Sequence, residues 1–212
     1  PASFIADNRS GKATSFIVRD GAGSFAGHIA LVANAPFSRA REVAQGIVLP
    51  DYRGQGLLNR SIAHAVEHAR TQTNCEMLFA TAVCNHVVSQ KSLLHVGFAD
   101  TGFEVDYAPA RLFFAENASD GRVATAFECL ALKRAPYRTT YLPGPYGGLL
   151  KDLIRLIDDD RLFLDCPANA PSPKTSELET ADLPTFDLLR TTIRDAGADL
   201  AGALKAIEAG AR

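Results

Sequence analysis

No two cysteines in this chain have C-x-x-C spacing. The four present, Cys75, Cys84, Cys129 and Cys166, read as buried thiols of a cytoplasmic protein. A zinc site or a disulfide framework would need closer or more regular spacing. No apolar run reaches the length of a membrane span, and no basic-then-apolar signal peptide opens the chain. There is no excess of positive charge either, since 22 Lys+Arg against 24 Asp+Glu give a formal net charge of −2. That leaves no electrostatic footprint for nucleic acid, and no basic amphipathic helix points to a membrane surface. G-x-x-x-x-G-K-[ST] is absent, which excludes a nucleoside-triphosphate P-loop, and G-x-G-x-x-G is absent, which excludes a dinucleotide fingerprint. His64 and His68 have the i, i+4 spacing of metal ligands, but no H-E-x-x-H order and no third ligand accompany them. They read as a helix surface pair, and no metal is expected.

What is present suffices for a core. The chain has 212 residues and is 47% apolar, enough for one large domain or a domain with an appendage. Its central stretch is G-I-V-L-P-D-Y-R-G-Q-G-L-L-N-R-S-I-A-H-A-V-E-H, residues 46–68. Ile47, Val48 and Leu49 suit a strand. Pro50 and Asp51 end it, because proline has no N–H to give the ladder. Gly54 and Gly56 free the backbone for positive φ and let another molecule come close. A helix is expected over 57–71, with Leu58, Ile62, Ala65, Val66 and Ala69 at helical spacing on one face. Unpaired N–H groups and the positive dipole end at its start suit an anion such as a pyrophosphate.

Around that stretch the pattern alternates. Residues 1–12 read as a loose lead-in. Strands are expected over 14–19, 24–33 and 41–49, with a hairpin turn at Asp20–Gly23 and a bulge at Gly27. Residues 76–84 form a nearly continuous apolar run, the signature of a strand buried on both faces, and strand–helix–strand implies a parallel crossover. A helix over 87–95 ends at Gly97, and strands follow over 98–107 and 122–133. The class is α/β with a mixed sheet.

Two segments in this order resemble the acyl-CoA-binding core of the GNAT N-acetyltransferases. That family has a V-x-P strand end followed by [QR]-x-x-G-x-[GA]. Val48-Leu49-Pro50 and Arg53-Gly54-Gln55-Gly56-Leu57 match it, with Leu58 in place of the final small residue. The family's next motif is N-x-x-A-x-x-L-Y-x-x-x-G-F. Counted back from Gly97-Phe98, His86 falls on its asparagine, Ser89 on its small residue and Leu93 on its tyrosine. The resemblance covers about residues 14–133. It implies a GNAT-like fold over 1–134, with 135–212 as a C-terminal extension of loop and amphipathic helices.

The resemblance also implies a function: transfer of an acetyl or other short acyl group from acetyl-CoA to an amine acceptor by direct attack. The acyl-CoA would contact the strand end Ile47, Val48 and Leu49. It would also meet the turn Arg53, Gly54, Gln55, Gly56, Leu57 and Leu58, then His86 and Ser89. Glu42, on the strand before the turn, stands near where the family keeps its base, and Gln45 could instead orient a water. Leu93 cannot donate the proton that the family's tyrosine gives to the leaving thiolate; His86, Ser89 and His95 are the nearby substitutes. Cys84 has no His-Asp partner spacing and reads as a structural thiol. The family's first strand and its two acceptor-walling helices have no counterpart before residue 14. Either the chain is a piece of a longer protein or another segment fills that gap. The runner-up function is a non-catalytic CoA-binding or interaction module that regulates a partner or a neighbouring domain.

In the tail, residues 136–145 read as a loop and 168–173 as a linker. Residues 146–159 form an amphipathic segment through Leu149, Leu150, Leu153, Ile154 and Ile157. Residues 183–209 carry Phe186, Leu189, Ile193, Ala196, Leu200, Leu204 and Ile207 in steps of three and four, which predicts a helix. Gly197 and Gly202 each weaken such a helix by about 1 kcal/mol relative to Ala, so it needs a partner. That partner is its own domain, a second copy in a homodimer, or a neighbouring domain.

Overall fold

The computed structural model describes residues 2–116, 121–133, 139–157, 161–167 and 173–211. A six-stranded sheet organises the chain. Its strands are β1 (Ala13–Arg19), β2 (Phe25–Val32), β3 (Ala40–Val48), β4 (Met77–Val83), β5 (Ala99–Pro109) and β6 (Arg122–Ala131), in the order β1-β2-β3-β4-β6-β5. All neighbours pair antiparallel except β3 and β4. The expected meander, crossover and mixed sheet are therefore all present. The crossover is α2 (Leu57–Gln72), and α3 (Val88–Val96) follows β4.

The core lies between one face of the sheet and these two helices. Ile62, Ala65, Val66 and Ala69 of α2 are buried against Ile29, Leu31, Val43 and Leu78, with Leu93 and Phe98 closing the far side. Burying such a side chain is worth ~1.5–3 kcal/mol before ordering costs. Gly97 ends α3 at φ +103, and its N–H donates to the carbonyl of Leu94 at 3.0 Å. That is the left-handed helix end a glycine favours. His64 and His68 both stand edge-on to the Phe16 ring, at 5.3 and 5.1 Å. Among the described residues, no group of three His, Cys, Asp or Glu side chains could hold a metal ion.

Several expectations need correction. The lead-in contains a helix, α1 (Ala2–Arg9), whose Asn8 side chain accepts from the Ser15 N–H at 3.0 Å and ties it to β1. The run in β4 alternates: Leu78, Ala80 and Ala82 are buried, whereas Met77, Phe79, Thr81 and Val83 are half-buried. On its second face Phe79 stacks on Phe127 of β6 at 5.4 Å. Of the four cysteines, only Cys75 and Cys129 are buried; Cys84, just past the end of β4, and Cys166 are exposed. The loop at 136–145 contains β7 (Thr139–Leu142), parallel to β8 (Leu162–Asp165), with α4 (Gly147–Arg155) between them as the expected amphipathic helix. Residues 168–172 of the expected linker lie outside the described residues.

The largest departure is at 183–209. A β-hairpin stands there, β9 (Glu177–Leu183) with β10 (Leu188–Asp195), joined by a 3-10 turn at Pro184–Phe186, and the α-helix is confined to Leu200–Gly210, α5. Leu188-Leu-Arg-Thr-Thr-Ile-Arg-Asp195 contains a Thr-Thr-Ile run whose branched side chains favour extended backbone. Pro184 and the positive φ of Asp187, +48, make the turn. The three-four spacing of Phe186, Leu189 and Ile193 is thus coincidental. The last described helix ends at Gly210, and no described helix is long and apolar enough to cross a membrane.

Candidate active site

The site begins where two parallel strands part. β3 and β4 pair only at Ala40–Met77, Arg41–Leu78 and Glu42–Phe79. On its other side β3 stays paired to β2 as far as Val48. Above Glu42 a wedge therefore opens between β3 and β4, and their backbone edges face it. A bulge in β3 forms the wedge's outer wall. Ala44 faces Ala30 and Ile47 faces His28, so three steps of β3 match two of β2. Gln45 sits in the bulge at φ +57, a conformation non-glycine residues rarely hold. Its carbonyl accepts from His28 Nδ1 at 3.1 Å. Gly27 allows the close approach of the two strands there, since a Cβ at that position would lie 2.7 Å from the Ile47 oxygen.

Glu42 stands at the closed end of the wedge. Its side chain points away from α2, because the next residue, Val43, packs in the core. It accepts hydrogen bonds from Thr81 Oγ1 of β4 at 3.1 Å and from the Asn34 side chain. The carboxylate is thus fixed, half-buried, between the two parting strands. Thr81 and Asn34 were not legible as partners: one is a polar residue in an apolar run, the other a loop residue.

The glycine turn stands at the open end. Leu49 precedes a single 3-10 turn at Pro50–Tyr52, and Arg53 Nε donates back to the Val48 carbonyl at 3.1 Å. Gly54 and Gly56 take φ +73 and +70, and a Cβ on either would meet nothing within 4 Å. The backbone is therefore exposed to open space, as a close-approaching ligand requires. The Arg60 N–H donates to the Gly56 carbonyl and closes the first turn of α2, so the N–H groups ahead of it are left for other acceptors. Leu58 turns inward against the core, where its Cδ1 would be 3.3 Å from a Cβ on Gly46. The large residue fits because Gly46 leaves room for it.

On the helix side, Val87 and Val88 at the start of α3 are exposed, while His86 and Ser89 are half-buried. The Ser89 hydroxyl and the Asn85 amide are buried without a hydrogen-bond partner among the described residues. Buried polar groups are normally paired, and these two stand out at the start of α3 for that reason. Leu93, in the place of the family's tyrosine, is 4% exposed and lies in the core. It has neither the chemistry nor the access to serve as an acid. Below α3, Glu128 of β6 is fully buried. Burial, and then the charge of its register partner Asp100, raise its pKa from 4.5 to about 8.

The β9–β10 hairpin is fastened at both ends to the sheet's second face. At its tip, Arg122 donates to the Phe186 carbonyl at 2.9 Å, Arg111 pairs with Asp187 at 2.9 Å, and the Phe186 ring meets Tyr107 at 5.4 Å. At its base, Arg194 donates to the Pro36 carbonyl at 3.0 Å. Tyr107 lies in an irregular stretch of β5 between Glu104 and Ala108. Its phenol is pushed up by burial and pulled back by Arg190 of the hairpin, with Glu104 and Glu42 near enough to push it up further. Neither the hairpin nor Tyr107 was foreseen; the sequence carries no spacing that joins residue 107 to residue 186.

Comparison with known proteins bears on the fold that carries this site. Residues 2–98 match the acetyltransferase (GNAT) family. No curated protein sequence matches the chain significantly. Among solved structures, a chimera of the Vibrio cholerae spermidine N-acetyltransferase SpeG and hSSAT aligns with a TM-score of 0.51 at 16% identity, over 62% of this chain and 74% of that one. The V. cholerae spermidine N-acetyltransferase in complex with CoA and spermine aligns with a TM-score of 0.50 at 15% identity, over 62% and 72%. A dodecameric structure of the same enzyme aligns with 0.51 at 17%, over 61% and 70%. At these identities the likeness concerns the fold: the six-stranded sheet with α2 and α3 is a GNAT fold.

Proposed function

We propose that this chain transfers an acetyl or other short acyl group from acyl-CoA to an amine, in the wedge between β3 and β4. The observation that carries this reading is the alignment of one fixed carboxylate and one open glycine turn at opposite ends of the same wedge. The CoA pyrophosphate lies on the turn Arg53–Leu58 at the start of α2, where N–H groups and the helix dipole favour an anion. The pantetheine runs down the wedge past Ile47, Val48 and Leu49, and its amides pair with exposed strand edges, as an added strand would. Asn85 and Ser89 supply further hydrogen bonds, with His86 alongside.

The amine nitrogen attacks the thioester carbonyl and the C–S bond breaks. Glu42 takes the ammonium proton, directly or through a water held with Gln45. The thiolate leaves without the family's tyrosine, because its pKa, near that of cysteine at ~8.5, lies not far above neutrality. Much of the acceleration comes from holding the two reactants together. Residues 135–212 act as an extension whose hairpin stands where an acceptor wall is needed.

A second reading has its own observation. Leu93 is buried in the tyrosine's place, which suits a CoA-binding module without turnover. Mass spectrometry of a panel of amines incubated with acetyl-CoA separates the two. An N-acetylated amine formed only with protein present supports the transferase. Acetyl-CoA bound tightly with no acetylated amine supports the module.

A further inference from the structure

A groove of about 240 Å³ lies between the first turns of α2 and the last turn of α3, lined by Asn59, Arg60, Ala63, His95 and Val96. Asn59, Arg60 and Ala63 follow one another at helical steps along the flank of α2, beside the buried stripe of Ile62 and Val66. That places them towards α3. Ala63 and Val96 make part of the lining apolar, and the other three residues are polar. Arg60 and His95 are exposed. The side chains of Asn59, Arg60 and His95 make no hydrogen bond or ion pair among the described residues. None of the lining residues is acidic. Lys91, one turn before His95 on the same helix face, adds positive charge nearby.

The groove begins where the glycine turn ends. The Arg60 N–H donates to the Gly56 carbonyl at 3.1 Å, so Arg60 stands about one helical turn, ~5.4 Å along the axis, past that glycine. In an acyl-CoA whose pyrophosphate rests on Arg53–Leu58, the next group is a ribose that carries a 3′-phosphate and an adenine. The groove is smaller than the ~300–1,000 Å³ that encloses a whole drug-sized ligand. It therefore suits one end of a larger molecule that is held elsewhere as well. A guanidinium pairs with a phosphate through two parallel hydrogen bonds, and an imidazole can stack on the face of a base. A phosphate alone would leave the apolar lining unused. An adenine alone would leave Arg60 without an anion. A phosphorylated adenosine uses both.

We infer that this groove seats the 3′-phosphoadenosine end of acyl-CoA, with Arg60 on the 3′-phosphate and His95 and Val96 against the adenine. The inference rests on the acyl-transfer reading, which puts the pyrophosphate on the glycine turn, and it adds the class of donor: a free CoA thioester. An acyl group on the phosphopantetheine of a carrier protein has neither the adenine nor the 3′-phosphate, and would leave the groove empty.

The test compares CoA with 3′-dephospho-CoA by calorimetry on the full chain, for wild type, Arg60→Ala, Arg60→Lys and His95→Ala. Arg60 and His95 are exposed, so these changes leave the core alone, and circular dichroism checks the fold of each variant. Wild type is expected to prefer CoA to dephospho-CoA by about tenfold, the worth of one charge-assisted pair on a phosphate. Arg60→Ala should erase that preference by weakening CoA alone. Arg60→Lys should keep part of it, since lysine meets a phosphate as a point charge. His95→Ala should weaken both ligands equally, because both carry the adenine. Dephospho-CoA binding to wild type as tightly as CoA would overturn the inference. So would a preference that survives Arg60→Ala undiminished, or a His95→Ala protein that binds both ligands as wild type does. A wild type that binds neither CoA nor dephospho-CoA would instead overturn the acyl-transfer reading beneath it.

Discussion

Thr81 Oγ1, two residues beyond the last paired level of β3 and β4 at Glu42–Phe79, donates to Glu42 at 3.1 Å. Beyond that level, the strands part. The hydrogen bond holds the carboxylate at the closed end of the wedge that the parting creates, where an amine approaching a thioester in the wedge would meet it. Its second partner, Asn34, anchors it from the loop before β3.

The glycine turn yields the first prediction. Gly56 is at φ +70 with open space beside it. Valine is β-branched and disfavours that conformation, and its side chain would occupy the space assigned to the pyrophosphate. Gly56→Val is expected to weaken acetyl-CoA binding by ~1–3 kcal/mol through strained or lost hydrogen bonds. Calorimetry on the folded variant measures this, and unchanged affinity would move the pyrophosphate elsewhere.

Glu128 yields a pH dependence. Its pKa rises on folding from 4.5 to about 8, so the folded state binds more protons between those values. Stability is therefore highest below about pH 4.5 as far as this group is concerned, and it falls as pH rises towards 8. Over that window the loss is expected to be on the order of a few kcal/mol, bounded by the ~5 kcal/mol that a shift of this size sets. Glu128→Gln removes the titration. Urea unfolding at pH 5.5 and 8.5 should show the variant gaining on wild type at the higher pH. Parallel pH profiles for the two proteins would contradict the burial argument.

Gly197 joins the hairpin to α5. A Cβ there would lie 2.5 Å from the Thr175 carbonyl carbon and 2.6 Å from the Ser176 nitrogen. Its N–H donates to Ser176 Oγ at 2.9 Å, and Ser176 in turn donates to Asp199 from its N–H and its hydroxyl, both at 2.7 Å. Gly197→Ala is expected to open this joint at a cost of ~1–3 kcal/mol, the range of overpacked sites. Faster proteolytic cleavage near residues 173–176 and a lower Tm would report it. An alanine variant as resistant as wild type would show that the joint can shift without loss.

Much of the core was legible because its signals are local. Proline at 50, glycines at 54, 56 and 97, and the period of α2 each act within a few residues. The tail was misread for the opposite reason. Phe186, Leu189 and Ile193 fit a helical period, but Pro184, Asp187 and the Thr191-Thr192 pair decide for a hairpin. What holds that hairpin in place is distant in sequence: Arg122 for Phe186, Arg111 for Asp187, Pro36 for Arg194. The wedge itself was invisible for a related reason. It depends on where β3 and β4 stop pairing, and on a bulge at Gln45 that no residue pattern announces. Glu42 and Gln45 could be named as candidates, but Thr81 and His28 could be joined to them only in space.

The measurement that bears most directly on the central claim is turnover by wild type and Glu42→Gln at saturating acetyl-CoA, with one amine and at neutral pH. Free thiol and N-acetylated product are both quantified, and acetyl-CoA affinity is measured separately. The expected result is thiol and product in equal amounts from wild type. In the variant, kcat should fall by ~10²–10⁴-fold, the usual loss when a general base is removed, with acetyl-CoA affinity unchanged. A Glu42→Gln protein that turns over as fast as wild type would contradict the assignment of the base. A wild type that binds acetyl-CoA and releases no thiol with any amine would contradict the transferase itself.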